Sequence, residues 1–85
     1  MNLNVLYFAR LRETLGVAAE KITLPDEVPS VAKLLDHLRA RGGDWLTALA
    51  PTQAYRVAVN QDMADLTTLL HDGDEIALFP PVTGG

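Results

Sequence analysis

Eighty-five residues, 48% hydrophobic and 21% charged, suit one globular domain that folds unaided, and no apolar run approaches the ~20 residues of a membrane span. The absence of cysteine excludes disulfides, thiolate metal sites and a side-chain thiol nucleophile. A net charge of −4 has the wrong sign for holding a phosphate backbone, so nucleic acid is not an expected partner, and without a spanning apolar run neither is a membrane.

The charge is also lopsided. Residues 1–41 hold six Lys or Arg against five acids, while residues 42–85 hold Arg56 against six acids. Such a bias is usually a solvated acidic surface and can also steer a domain toward a basic partner. Met1 to Phe8 has no basic segment followed by a long apolar stretch and a cleavage site, which makes the cytoplasm the expected location.

In chain order, Asn2 to Phe8 reads as a strand apolar on both faces, with Leu3, Val5 and Tyr7 on one and Leu6 and Phe8 on the other. That pattern belongs to an interior position in a sheet. Arg10 to Leu15 carries helix formers and closes at Gly16, a suitable residue for a left-handed helix end. Lys21 to Leu24 alternates polar and apolar and is stopped by Pro25. Ser30 caps the longest predicted helix, in which Val31, Leu34, Leu35 and Leu38 recur at helical spacing before Gly42 and Gly43.

Asp44 is the predicted cap of a short segment carrying Trp45, Leu46 and Leu49, broken at Pro51. Tyr55, Val57 and Val59 alternate with Arg56, Ala58 and Asn60 as a third strand, turned by Asn60, Gln61 and Asp62 into a brief segment at Met63 and Ala64. Asp72, Gly73 and Asp74 form a tight turn into a last strand, Glu75 to Phe79, with Ile76 and Leu78 on one face and Ala77 and Phe79 on the other. One amphipathic helix on one mixed sheet is an α+β arrangement. If Ile76 and Leu78 meet the helix, Phe79 points to the open face, where an exposed aromatic is a partner contact.

The body of the domain looks inert. His37 and His71 lack metal-ligand spacing, the acids of Asp62 to Glu75 lack the pattern of a calcium loop, and Gly42-Gly43 follows a helix where a phosphate cradle would precede one. What remains is the ending Pro80-Pro81-Val82-Thr83-Gly84-Gly85. Glycine is narrow and flexible, and the two prolines cannot continue a ladder, so residues 80–85 read as a tail on a domain of residues 1–79. Its last four residues reach about 13 Å. A terminal carboxylate is a poor electrophile until activated, for instance as an acyl adenylate that a sulfur or amine nucleophile can then attack.

Three stretches carry a family resemblance: Val5-Leu6-Tyr7-Phe8-Ala9-Arg10-Leu11-Arg12-Glu13, Val59-Asn60-Gln61, and Asp72-Gly73-Asp74-Glu75 running through Phe79 to Gly85. They resemble the small, sulfur-carrying subunit of molybdopterin synthase, over nearly the whole chain. The resemblance implies a ubiquitin-like β-grasp fold. It implies that an ATP-dependent, E1-like adenylating enzyme activates Gly85, that a sulfur donor converts it to a thiocarboxylate, and that the tail enters the large subunit of a heterotetrameric synthase. There sulfur passes to cyclic pyranopterin monophosphate to form the dithiolene of molybdopterin.

This chain is then no enzyme on its own and binds no cofactor, ATP being used by the activating partner. By the same resemblance Gly84 and Gly85 are the reacting end. Phe8, Met63 and Phe79 form an apolar docking patch beside Arg12, and Pro80, Pro81, Val82 and Thr83 contact the partner as the tail enters its channel. A carrier for thiamine or another thiolated product, a β-grasp binding module and a modifier joined to lysines are the alternatives.

Overall fold

The computed structural model describes residues 1–25 and 29–81; Val82, Thr83, Gly84 and Gly85 lie outside the described residues. The elements are β1 (Asn2–Tyr7), α1 (Ala9–Leu15), β2 (Ala19–Thr23), α2 (Val31–Arg39), α3 (Asp44–Ala48), β3 (Arg56–Val59), β4 (Asp62–Met63) and β5 (Glu75–Phe79). They form one mixed sheet in the order β2-β1-β5-β3-β4, in which β1 and β5 run parallel and the other pairs antiparallel.

Period-two patterning decides which face is buried. Leu3, Val5 and Tyr7 of β1, Ile22 of β2, Val57 of β3 and Ile76 and Leu78 of β5 turn inward. They meet Val31, Leu34, Leu35 and Leu38, the stripe that α2 presents at helical spacing. Ser30 caps α2 as expected, its hydroxyl accepting from the Lys33 N–H at 3.3 Å. The next free amides, of Val31 and Ala32, donate to the Thr68 and Leu66 carbonyls, so the loop before β5 completes the cap. Gly16 ends α1 in the left-handed region at φ 75°, its N–H on the Arg12 carbonyl.

Several boundaries differ from the sequence reading. β1 stops at Tyr7, and Phe8, still extended at φ −122°, becomes the cap residue of α1, which begins at Ala9. β2 starts at Ala19 because Leu6 pairs with it, and Leu24 has left the strand. Asp44 is the first residue of α3, and Gly43 at φ 55° occupies the cap position, where a side chain would be strained. β3 begins at Arg56, and β4 is Asp62–Met63 because Asn60 and Gln61, both at positive φ, make a two-residue hairpin loop.

That hairpin interlocks with the Asp72-Gly73-Asp74 turn. The Asn60 amide donates to Asp74 Oδ1 at 2.9 Å and accepts from the Glu75 N–H at 3.0 Å, and Asp74 Oδ2 accepts from the His71 N–H at 2.8 Å. Asp72 takes the Asn2 N–H at 2.6 Å, and Gly73, at φ 87°, returns its own N–H to the Asn2 carbonyl at 2.7 Å. The acids of this motif are therefore structural. They start β5 at one end of the sheet, which sends its other end out beside α1. Among the described residues no helix is long and apolar enough to cross a membrane.

Candidate functional site

The site is where β5 leaves the sheet. Its last ladder pair is Phe79 with Arg56, and Pro80, having no N–H, cannot extend it. Tyr7 pairs with Leu78, and the Phe8 N–H donates to the Leu78 carbonyl at 3.1 Å, which carries the register one step on and sets Phe8 beside Phe79. Strand parity turns both rings away from α2. Phe8 is 43% exposed, and Phe79, Pro80 and Pro81 are half-buried.

Register builds the rest of this open face. Leu6 pairs with Ala19 on one side and Ala77 on the other, Ala77 with Ala58, and Ala58 with Met63. One uninterrupted row of apolar side chains thus crosses all five strands, and the small alanines keep its centre flat. Met63 stands at the end of the row with 64% exposure, and so is not packed in the core. The neighbouring row on the far side, Lys21, Asn4 and Glu75, is polar. The Phe8–Phe79 side is where the chain departs.

Phe8, Phe79 and Met63 are therefore on one face. Arg12 lies one helical turn beyond Phe8, whose carbonyl accepts its N–H at 3.4 Å, and its side chain is exposed. Strand parity in the sequence places Leu6 with Phe8 and Ala77 with Phe79, but their union with Ala58 in one row is not legible there, because an alanine carries no signal until pairing lines it up with another. Also missed was a groove of about 260 Å³ against Pro80, walled by Arg10 and Thr14 of α1, Asp44 and Thr47 of α3, and Gln53.

Among the described residues no group is prepared for proton chemistry. The most connected polar group joins β1, β2 and the segment between α2 and α3. Arg41 makes two hydrogen bonds to Glu20, one of 3.0 Å, and lies 4.4 Å above the Trp45 ring. The Tyr7 hydroxyl donates to the same carboxylate at 3.3 Å, while its ring meets Trp45 edge-on at 5.4 Å. The Arg41 hydrogen bonds hold the Glu20 carboxyl below its usual range, and burial, followed by the Glu20 charge, pushes the Tyr7 phenol up. Hydrogen bonds from Thr67 likewise lower exposed Asp65, and Glu20 raises Arg41. All four shifts run away from neutrality, the opposite of what a general acid or base requires. Among the described residues no group of three metal-ligating side chains converges.

The ThiS family profile matches residues 5–85. The chain belongs to the ThiS family. It is 45% identical to the molybdopterin synthase sulfur carrier subunit of Haemophilus influenzae, over 98% of this chain and 99% of that one. Among solved structures, a Pyrococcus furiosus protein described as molybdopterin converting factor subunit 1 superposes with a TM-score of 0.81 at 28% identity, covering 96% of this chain and 99% of that one. The complex of subunits 1 and 2 of the molybdopterin-converting factor from Helicobacter pylori contains a chain matched with a TM-score of 0.69 at 28% identity, each covered in full. This ThiS-family domain is a ubiquitin-like β-grasp fold, its mixed sheet packed on one main helix.

Proposed function

We propose that this chain is the sulfur-donating subunit of a cytoplasmic molybdopterin synthase and that its working group is the Gly85 carboxylate. An ATP-dependent adenylating enzyme joins that carboxylate to AMP with loss of pyrophosphate. Sulfur at the sulfide level, HS−, then attacks the acyl carbon, AMP departs with the bonding electron pair, a proton is released, and a thiocarboxylate remains. The large subunit receives the tail, Pro80 to Gly85, and catalyses sulfur transfer to cyclic pyranopterin monophosphate, forming the molybdopterin dithiolene. Residues 1–79 act as the handle and need no cofactor of their own.

The observation that carries this reading is the delivery of the tail from the interior strand β5 at the Phe8–Phe79 side of an apolar row. A partner that covers Phe8, Phe79 and Met63 gains an anchor, with Arg12 at its margin, and at the same time holds the tail's root in fixed position. The kinship with the H. influenzae carrier supports the choice of sulfur as the cargo. The test is reconstitution. The thiocarboxylated chain with its large subunit is expected to convert cyclic pyranopterin monophosphate to molybdopterin, and the chain lacking Gly85 to yield none. Product formation without Gly85, or transfer of the chain to protein lysines in place of sulfur transfer, would refute it.

A further inference from the structure

Arginine use in this fold divides sharply. Arg39 and Arg41 are engaged: the first donates to the Leu49 carbonyl at 2.7 Å and pairs with Asp36 at 3.0 Å, and the second is bound to Glu20 and stacked on Trp45. Arg10, Arg12 and Arg56 are exposed, and among the described residues none has a carboxylate within ion-pair distance. Glu13 neighbours Arg12 in α1 and Asp44 shares a groove with Arg10, yet neither forms a pair.

All three surround the root of the tail. Arg56 is the cross-strand neighbour of Phe79, Arg10 walls the groove against Pro80, and Arg12 follows Phe8 by one turn. With net charge −4, the rest of the chain carries −7 once these three are set aside. Along the sequence Arg56 looks like an isolated cation in an acidic half; folding brings it to the basic end of an acidic domain.

We propose that Arg10 and Arg56, with Arg12, form a basic rim that recognises an acidic margin around the tail-accepting channel of the large subunit. The inference rests on the proposed function for its partner, and it assigns Arg10 and Arg56 a part in steering. Unpaired guanidiniums in a field of opposite sign orient the molecule end-on, so that Phe8, Phe79 and the tail meet the partner first. Rim charges of this kind act on association rate and its salt dependence more than on dissociation.

The experiment follows association with the purified large subunit by stopped flow, from low to high salt. The variants are Arg10→Glu, Arg56→Glu and, as a control of equal charge change on the exposed part of α2, Lys33→Glu. Thermal melts confirm that each folds, and Arg56→Gln gives the neutral intermediate. Arg10→Glu and Arg56→Glu are each expected to slow association about tenfold at low salt and to flatten its salt dependence, while Lys33→Glu changes it by less than about twofold. Equal effects of all three, or none, would overturn the basic rim and leave the carrier function standing. A wild-type chain that does not bind the large subunit at all would overturn both.

Discussion

Replacing Phe79 by Ala separates docking from folding. Full burial of a Phe side chain contributes about 1.5–3 kcal/mol, and in the free domain Phe79 is half-buried on the face away from α2. Truncation should therefore cost the fold about 1 kcal/mol, which lowers Tm by about 4–8 °C in a domain of this size. In the complex the exposed remainder is covered, and a central aromatic anchor of this kind is worth about 2 kcal/mol, or about a 30-fold rise in Kd. Titration calorimetry against the large subunit at 15 °C, with circular-dichroism melts of the free variant, reads both quantities. A Kd within twofold of wild type would show that the ring is not an anchor. A variant that fails to fold would show that Phe79 belongs to the core, against the parity that places Ile76 and Leu78 there.

Glu20→Gln keeps the shape of the Tyr7–Glu20–Arg41–Trp45 cluster and removes its negative charge. Because both side chains of the Arg41 pair are partly exposed, the loss should be about 1 kcal/mol at pH 7. Glu20 has a lowered pKa in the folded state, so its contribution is full above the unfolded value of about 4.3 and disappears as pH falls through the lower folded one. The Tm gap between variant and wild type should accordingly close below about pH 4, and a gap unchanged at pH 3 would contradict the assignment. Asp74→Ala removes the acceptor of the Asn60 amide and the His71 N–H and should cost about 1–2 kcal/mol in a denaturant melt. It lies at the opposite end of β5 from the tail, so the folded variant should keep wild-type affinity for the large subunit.

Local patterning revealed much of this fold and less of its working face. Leu3, Val5 and Tyr7, the Ile76–Leu78 pair and the α2 stripe were legible because burial follows the period of each element. The Gly16 helix end and the Ser30 cap were legible from residue type. Phe8 reads as strand in the sequence because an apolar residue continuing an apolar run carries no mark of the chain's turn into α1. The start of β2 at Ala19 depends on its pairing with Leu6, which no local property of alanine encodes. Long-range register also creates the flat row from Ala19 to Met63, and the topology gathers Arg10, Arg12 and Arg56, forty-six residues apart at the extremes. The Tyr7–Glu20–Arg41–Trp45 cluster is of the same kind: four residues with no telling spacing, joined by packing. The Asp72-Gly73-Asp74-Glu75 motif was recognisable in sequence as a turn, but its hydrogen bonds to Asn2, Asn60 and His71 show why those acids are needed.

The central claim concerns Gly85, and intact-mass spectrometry of the chain tests it most directly. After incubation with an adenylating enzyme that accepts the chain, ATP and a sulfur donor, the mass should rise by the exchange of one oxygen for one sulfur, with fragmentation placing the change at the C-terminal residue. The chain lacking Gly85 should not shift. An unchanged wild-type mass in a mixture where ATP consumption shows the adenylating enzyme to be active on the chain would contradict the sulfur-carrier account.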